Sequence, residues 1–415
     1  MIDPDALNVW HERRLVGYLW RTLVGAIGFR YDPDWIVAGG FAISHTLPLS
    51  TDDFVAEEAL AHRFFTNLLP EGGVRDHIVR DLKISNTDFD LLRAIGGECA
   101  GALSILPVER VPSGQRHYYP LTDDGMASLA ARRGQIYAAW PADERPRLSL
   151  AGAQDKCPIL VRDNRYFLPQ GEAPSSHILK FELADYRHLP AYETFTTLLA
   201  GSIGLPVTDI KLCLIGQTRY AQITRYDRLW DKQGEVQRLH QEDFCQALGY
   251  GHEKKYQDSG GPSFSQCYHL VQDTSSDPAI DALYLLRWQI FNVLSGNSDG
   301  HAKNLSLLYL SNGEIRLAPF YDLVCTRAIE RIDQHLAFDV GGERNPALIT
   351  PAHWERFARE CDIKPRFLVR QMNQIAALLL ESLAPTKEHF EARFGDYPAL
   401  QRIEQIVIKQ CHSIG

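Results

Sequence analysis

Three features are scarce or missing in this sequence of 415 residues. Lysine and arginine (43) are outnumbered by aspartate and glutamate (52), which leaves a formal net charge of −9 at pH 7. A chain with that balance is repelled by a phosphate backbone, so direct nucleic-acid binding is not expected to be its main function. No apolar run approaches the length of a membrane span, and Met1-Ile2-Asp3-Pro4-Asp5 carries acids where a signal peptide would carry bases. We therefore expect a protein that its sequence neither anchors nor exports.

The cysteines show no metal-binding or disulfide pattern. The sequence has eight, and no two of them have the Cys-x-x-Cys spacing that is typical of zinc and redox sites. We expect reduced thiols that fill core positions, as in a cytoplasmic protein. The eight residues are Cys99, Cys157, Cys213, Cys245, Cys267, Cys325, Cys361 and Cys411.

The composition is that of an ordinary globular protein, 45% hydrophobic and 23% charged, and the length allows two or three domains. Residues from about Val9 to Tyr31 alternate between apolar and polar and predict the short strands of a small sheet. Thr51-Asp52-Asp53 predicts the start of a helix. This first part of the chain has no evident catalytic constellation. Its acidic residues predict a solvated helix face; they are Asp52, Asp53, Glu57 and Glu58.

The most informative stretch is residues 296–304, GNSDGHAKN, followed eighteen residues later by Asp322. Asn304 comes five residues after Asp299, which is the step between the catalytic Asp and the metal-binding Asn of protein kinases. Phosphoryl transfer needs a carboxylate that orients the attacking hydroxyl, and a carboxylate and an amide that hold the metal. We predict that Asp299 is the catalytic residue and that Asn304 and Asp322 bind Mg²⁺.

The surroundings of this loop favour a site over an ordinary polar turn. An apolar run at helical spacing, Asp281 to Leu294, precedes it, and Leu305 to Leu310 predicts a short buried strand after it. Asn312-Gly313 predicts a hairpin turn that returns the chain through Ile315–Leu317 and brings Asp322 beside Asp299. A polar loop held between a buried helix and a buried strand is rigid, and rigidity suits catalysis.

A second group of residues predicts phosphate binding. Small residues in the turn 150–154 would let backbone N–H groups approach phosphates, although such a turn alone could be a plain hairpin. Lys180 lies among apolar neighbours on the predicted strand Ser176–Glu182, from which a kinase lysine reaches the phosphates; a surface lysine is the alternative. Glu193, on the helix Pro190–Ile203, could pair with Lys180 or could only face the helix dipole. Farther along, Thr224-Arg225-Tyr226 follows a predicted strand at the place where an adenine would meet the chain.

Taken together, these motifs resemble the HipA family of bacterial serine/threonine kinases, the toxins of type II toxin–antitoxin modules. The resemblance covers nearly the whole chain and includes residues 65–70 (FTNLLP), 149–156 (SLAGAQDK), 241–243 (QED) and 258–262 (DSGGP) besides the motifs above. It implies an α+β, bilobal, protein-kinase-like fold: a β-rich N-terminal subdomain (1–140), an N-lobe with the phosphate loop (141–240) and an all-helical C-lobe (241–415).

The resemblance also implies ATP and Mg²⁺ as cofactors and a protein substrate, glutamyl-tRNA synthetase in the best-known member, whose phosphorylation stalls translation and produces dormant, persistent cells. It implies autophosphorylation of Ser149, and a dimeric DNA-binding antitoxin like HipB through which DNA is met only indirectly. Thr224 and Tyr226 stand where the family commonly has Glu and Phe. The implied nucleotide-binding residues are Leu150, Ala151, Gly152, Ala153, Gln154, Lys156, Lys180, Thr224, Tyr226, Gln241, His301, Lys303, Asn304 and Asp322.

Two alternatives stay open. In this chain His301 follows Asp299, as in lipid kinases, whereas protein kinases place the His before the Asp, so a small-molecule or lipid kinase is possible. A catalytically idle corepressor that only bridges antitoxin dimers on DNA is the other. The complete set of Asp299, Asn304 and Asp322 argues against an idle protein.

Overall fold

The described part of the molecule contains two large hydrophobic cores. The computed structural model describes residues 6–137, 146–152, 154–182, 186 and 188–413. One core lies among the sheets of the first half and collects side chains between Leu7 and Tyr220, and the other lies among the later helices, between Ala191 and Cys411. This division confirms the predicted α+β fold with two lobes. The boundary predicted near residue 140 falls outside the described residues, and the three segments stay a prediction.

The first sheet has four antiparallel strands in the order β3-β2-β1-β4. Alternation along the strands turns Leu7, Val9 and Val16 inward, where each is fully buried. The strands predicted between Val9 and Tyr31 are therefore confirmed. The four strands are β1 (Leu7–His11), β2 (Arg14–Arg21), β3 (Ile27–Tyr31) and β4 (Leu103–Pro107).

The segment between β3 and β4 is helical, but one predicted helix is wrong. No helix begins at Thr51; the chain there is bent, and the next α-helix starts at Leu60. The backbone of Phe54 instead pairs with Phe29 of β3 through N–O distances of 3.0 and 2.8 Å, which holds the segment extended. The acidic residues there are exposed, as expected, but not on an α-helix. The helices are α1 (Pro33–Val37), α2 (Leu60–Thr66), α3 (Gly72–Leu82) and α4 (Asp88–Ile95).

A six-stranded antiparallel sheet follows, in the order β5-β7-β6-β8-β10-β9. Its central strand β8 carries Lys180, which lies opposite Lys156 of β6 and Ala221 of β10. The chain turns between β6 and β7 at Asp163-Asn164, with both residues at positive φ. The strands are β5 (Tyr118–Leu121), β6 (Lys156–Arg162), β7 (Arg165–Pro169), β8 (His177–Phe181), β9 (Ile210–Ile215) and β10 (Thr218–Thr224), and the helices are α5 (Asp123–Ala131) and α6 (Leu189–Ser202).

The remainder is mainly helical, but the prediction of an all-helical C-lobe is wrong. A small sheet, β13-β14-β15, lies within it, because residues His240–Asp243 pair with β14. Only Asp243 takes part in a helix, as the N-cap of α7. The predicted hairpin at Gly313 is confirmed by the pairing of β14 with β15. The strands are β11 (Arg228–Trp230), β12 (Val236–Arg238), β13 (His240–Asp243), β14 (Ser306–Tyr309) and β15 (Ile315–Leu317).

The helices of this lobe surround one long buried element, α9. Its apolar residues Trp288, Ile290 and Phe291 are fully buried, as the run from Asp281 predicts. The helices are α7 (Phe244–Ala247), α8 (Phe264–Thr274), α9 (Pro278–Ser295), α10 (Pro351–Glu360), α11 (Pro365–Phe394) and α12 (Leu400–Ser413).

All eight cysteines are free, and seven of them are buried, as expected for thiols that fill core positions; Cys213 is half-buried. Within the described parts of the chain, no helix combines the length and apolar character needed to cross a bilayer.

Candidate active site

Three charged residues that are distant in sequence meet in the cleft between the lobes. The ammonium group of Lys180, on β8, lies 2.6 Å from Glu193 Oε1 on α6 and 2.5 Å from Asp322 Oδ1 on the loop after β15. Lys180 and Glu193 are almost completely buried, whereas the carboxylate of Asp322 is 37% exposed toward the cleft. The structure therefore forms the pair of Lys180 and Glu193 that the sequence left undecided, and adds Asp322 to it.

The charges in this cluster shift one another's pKa values. Burial alone would lower the pKa of Lys180, but Asp322 and Glu193 outweigh it and raise that pKa above its ordinary value. Burial would raise the pKa of Asp322, but Lys180 and Lys156 hold it well below its usual range. Burial and the proximity of Lys180 lower the pKa of Lys156 to about 8. Asp322 is therefore ionised at neutral pH and able to attract a cation.

The loop of residues 296–304 is held by its own polar side chains. Helix α9 is capped at its C-terminal end by Gly296, whose φ is +76°, and an added Cβ there would lie 2.8 Å from Ile406. Asn297 Oδ1 accepts the backbone N–H of Asp299 at 3.2 Å, and Asn304 Nδ2 donates to the backbone carbonyl of Asp299 at 3.1 Å. The five-residue step from Asp299 to Asn304 is thus closed by a hydrogen bond. Among the described residues, nothing is bonded to the amide oxygen of Asn304.

The carboxylate of Asp299 points into the open cleft. Its side chain is exposed, and its Oδ1 accepts a 2.8 Å hydrogen bond from the hydroxyl of Tyr256. The pKa of Asp299 is raised above its ordinary value, mainly by desolvation. The hydrogen bond from Tyr256 opposes this effect, and the charge of Asp322 adds to it. Asp299 and Asp322 both line this cleft.

The small-residue turn closes one side of the cleft. Gly152 has φ +109°, and a Cβ on it would come within 2.9 Å of Lys156 Nζ, so the absence of a side chain leaves room for that ammonium group. Lys156 Nζ donates to the carbonyl of Ala151 at 2.5 Å. Leu150 and Gln154 also line the cleft, and Ala153 lies outside the described residues. The loop therefore lies at the cleft wall, and its contact with phosphates stays a prediction.

Ser149, just before the turn, is fully buried and does not line the cleft. Its Oγ donates to the carbonyl of Leu68 at 2.7 Å, and its backbone N–H donates to the carbonyl of Glu98 at 2.8 Å. The side chain is therefore held inside the protein, between the first sheet region and the phosphate loop.

Aromatic side chains form the opposite end of the cleft. The ring of Tyr226 stacks on Tyr321 with centroids 5.6 Å apart, and its hydroxyl donates to Gln241 Oε1. The hydroxyl of Thr224 donates to Asp209 Oδ2 at 3.2 Å. Tyr226 and Gln241 thus hold each other in place, and Thr224 is oriented by Asp209.

His301 and Lys303 behave differently from each other. His301 is buried, which lowers its pKa to about 3, and its Nδ1 has no hydrogen-bond partner among the described residues. Lys303 is also buried, but its ammonium group is already bonded to Asn67 Oδ1 at 2.6 Å and to Asp243 Oδ2 at 3.1 Å. Lys303 lines the cleft, yet its bonds make it a link between the lobes.

Sequence reasoning missed the contribution of the N-terminal region. Asn67, Leu68 and Glu71 line the cleft, although that region shows no catalytic constellation. The backbone N–H of Glu71 donates to the carbonyl of Gly152 at 3.1 Å, and its carboxylate lies 3.2 Å from Lys255 Nζ. The polar Asn67 and Glu71 around the apolar Leu68-Leu69-Pro70 were the available signal.

One cavity of about 430 Å³ unites these groups. It is lined by every predicted nucleotide-binding residue that the structure describes, together with Asp299. The arrangement offers cations and backbone groups for phosphates, a carboxylate and an amide for a metal, and a separate carboxylate for a hydroxyl group.

Comparisons with known proteins point to one family. A family model of the HipA N-terminal domain matches residues 7–106, and one of the HipA-like C-terminal domain matches residues 148–383. The protein Y4mE of Sinorhizobium fredii, whose name describes it as a candidate kinase, is 35% identical over 92% of each chain. The serine/threonine-protein kinase toxin HipA of Shewanella oneidensis is 31% identical over 85% of this chain and 82% of that one.

The similarity extends to a solved structure. The fold matches a chain in the complex of Shewanella oneidensis HipA, HipB and operator DNA, with a TM-score of 0.83 and 27% identity over 98% of this chain and 97% of that chain. Since the C-terminal family model alone covers more than half of the sequence, the chain belongs to the HipA family.

Proposed function

We propose that this protein is an ATP-dependent kinase that transfers the γ-phosphate to a serine or threonine of another protein. The observation that carries the proposal is the Lys180 ammonium group between Glu193 and Asp322, in the same cleft as Asp299 and Asn304. A lysine–glutamate pair beside a metal-binding aspartate is the arrangement that protein kinases need for activity. The name of the HipA relative from Shewanella oneidensis supports serine or threonine as the acceptor.

The residues of the cleft fit a nucleotide with a magnesium ion. The cavity is within the usual size range of small-molecule sites, and the buried Nδ1 of His301 has no partner in the part of the chain that the structure describes. The described residues contain no group of three His, Cys, Asp or Glu side chains that could hold a metal by themselves. A carboxylate and an amide that share the ion with phosphates are typical of magnesium, so Asp322 and Asn304 suffice.

In this proposal each residue has one task. Lys180, Lys156 and the backbone of residues 150–154 bind the phosphates, and Tyr226 and Gln241 form the wall near the base. Magnesium, when bound at Asn304 and Asp322, neutralises charge on the phosphates. Asp299 accepts the hydrogen bond of the acceptor hydroxyl and orients it. Catalysis then rests on positioning and electrostatic stabilisation by groups that the fold has already placed.

The Asp299→Asn variant tests the assignment. Because the amide cannot accept the proton of the acceptor hydroxyl, we expect transfer from radiolabelled ATP to proteins of a bacterial extract to be lost, with nucleotide affinity and thermal unfolding near those of the wild type. Asp273→Asn, at an exposed position on α8, is the matched control and should keep full activity. Labelling by Asp299→Asn at the wild-type rate would refute the assignment.

We also propose that Ser149 is phosphorylated by the protein itself. A phosphate carries about −1.5 to −2 charges and cannot stay in the buried position next to Leu68, so the loop would have to leave the cleft wall. Intact mass after incubation with Mg²⁺ and ATP should rise by one phosphate in the wild type and stay unchanged in Ser149→Ala. An unchanged wild-type mass would count against this step.

The family resemblance supports two partners. We propose that the substrate is an aminoacyl-tRNA synthetase, with glutamyl-tRNA synthetase as the leading candidate, and that the protein acts in the cytoplasm. Expression of the protein would then inhibit translation, stop growth and promote persistence. We propose that a HipB-like helix-turn-helix antitoxin dimer binds the protein and carries it to DNA, since the related HipA was solved with HipB and operator DNA. Phosphoproteomics after a pulse of expression should show phosphorylated synthetase with the wild type and not with Asp299→Asn. Phosphorylation of a different protein, without the synthetase, would refute the proposed substrate.

A further inference from the structure

Tyr256 touches the proposed catalytic group but belongs to a separate part of the chain. It lies on the loop between α7 and α8, 43 residues before Asp299, and its hydroxyl donates to Asp299 Oδ1 at 2.8 Å. The ring meets His301 edge-on with centroids 5.2 Å apart, and Lys255 Nζ lies 5.5 Å from the ring centroid. No other described side chain donates to the Asp299 carboxylate.

The loop that carries Tyr256 is anchored rather than free. Gln257 exchanges hydrogen bonds with Asp339, through its amide nitrogen to the carboxylate and through its amide oxygen to the backbone N–H. Asp258 lies 2.6 Å from Arg344. The loop turns back at Gly261, where a Cβ would lie 2.0 Å from the carbonyl of Lys254.

The same anchor also supports the loop of Asp299. The backbone N–H of Ala337 donates to the carbonyl of Ser298 at 2.9 Å, while the carbonyl of Ala337 accepts the backbone N–H of Gln257 at 3.3 Å. The segment around Ala337 therefore holds the residue before Asp299 and the residue after Tyr256 in one frame. These hydrogen bonds hold the loop of Tyr256 and the loop of Asp299 in fixed positions relative to each other.

We propose that Tyr256 is a positioning residue that orients the carboxylate of Asp299 for the acceptor. With Oδ1 bonded to the phenol, the second carboxylate oxygen faces the acceptor hydroxyl in a fixed direction. This inference rests on the proposed kinase function. Misplacing a reacting group by about 1 Å can cost roughly 100-fold in rate, so one orienting hydrogen bond has a measurable effect.

Tyr256→Phe is the variant that tests this role, because it removes only the hydroxyl and keeps the ring against His301. The probe reaction is phosphate release from Mg²⁺–ATP, with water as the acceptor. We expect kcat to fall about 10- to 100-fold while KM for ATP and the affinity for a non-hydrolysable ATP analogue stay within about twofold. Tyr250→Phe is the control: it lies near the start of the same loop and loses a hydroxyl that is bonded to Gln266.

A second measurement does not depend on activity. In protein labelled with ¹³C at the tyrosine Cζ, the resonance that is absent from Tyr256→Phe identifies Tyr256, and it should shift in Asp299→Asn and stay in place in Asp273→Asn. An unchanged chemical shift of Tyr256 in Asp299→Asn would overturn the inference and leave the kinase proposal standing. A kcat of Tyr256→Phe equal to or above that of the wild type would do the same. Absence of both ATP turnover and labelling of extract proteins by the wild type would overturn both proposals.

Discussion

Lys180 and Asp322, 142 positions apart in the chain, form a 2.5 Å ion pair that joins the central strand of the six-stranded sheet to the loop after β15. Asp322 has φ +59°, in the left-handed region, where a residue other than glycine is strained by about 1–3 kcal/mol. The ion pair helps to hold it there. Backbone strain of this kind occurs where a fold must aim a side chain, which agrees with the metal-binding role proposed for Asp322.

The first prediction concerns the charge balance of this cluster. Lys180→Met leaves Glu193 buried without its cation, so we expect the free energy of unfolding in urea to fall by about 3–5 kcal/mol. Adding Glu193→Leu removes the unpaired charge and should restore part of that loss. Lys409→Met, at an exposed position, is the control and should change stability by less than about 0.5 kcal/mol. A single variant as stable as the wild type would contradict the buried pair.

The second prediction concerns the link between the N-terminal region and the C-lobe. Asn67→Ala removes an acceptor 2.6 Å from the buried ammonium group of Lys303, so we expect a loss of about 1–3 kcal/mol in the free energy of unfolding. Asn67→Ala also removes the donor to the carbonyls of Arg63 and Tyr250. Asn86→Ala removes a single hydrogen bond, with Arg75, at an exposed position, and should cost less than about 1 kcal/mol. Equal losses for the two variants would mean that Asn67 does not support Lys303.

The third prediction concerns the phosphate loop. Gly152→Ala would place a Cβ 2.9 Å from Lys156 Nζ and would also strain the backbone at φ +109°. We expect weaker binding of a fluorescent ATP analogue, by about tenfold or more, because Lys156 must move away from the phosphates. Gly171→Ala also has a positive φ, +59°, but meets no atom within 4 Å, so it separates backbone strain from crowding. Similar nucleotide affinities of the two variants would show that the space beside Gly152 is not used.

The fourth prediction concerns pH and Glu242, a fully buried carboxylate that accepts hydrogen bonds from Ser44, His45 and Tyr309. Burial raises its pKa to about 7, against 4.5 as the ordinary value. Between these two pH values the folded state holds more protons than the unfolded state, so this group makes the free energy of unfolding fall as pH rises, by about 3 kcal/mol in all.

Glu242→Gln removes this titration and keeps the shape of the side chain. We therefore expect the difference in unfolding free energy between variant and wild type to move in favour of the variant between pH 5 and pH 8, as measured by urea denaturation at both values. A difference that is the same at both pH values would show that Glu242 keeps an ordinary pKa. The exposed Glu314→Gln is the control and should show no such change.

Local sequence determined much of this protein. Alternating residues gave the strands between Leu7 and Tyr31, the apolar run of α9 gave a buried helix, and Asn312-Gly313 gave the hairpin. These patterns work because side-chain period and turn conformation are properties of neighbouring residues. The helix expected at Thr51 does not form, because the backbone of Phe54 pairs with Phe29 and this contact with a distant residue outweighs the capping signal.

The sequence by itself determined the candidate residues for the chemistry, Lys180, Asp299, Asn304 and Asp322, and the membership of the HipA family. Only the tertiary structure decided how they are arranged: that Glu193 faces Lys180, that Lys303 is bonded to Asn67, and that Tyr256 reaches Asp299. The physical reason is that ion pairs and hydrogen bonds between distant segments depend on how the lobes pack, and no local period or spacing encodes that packing.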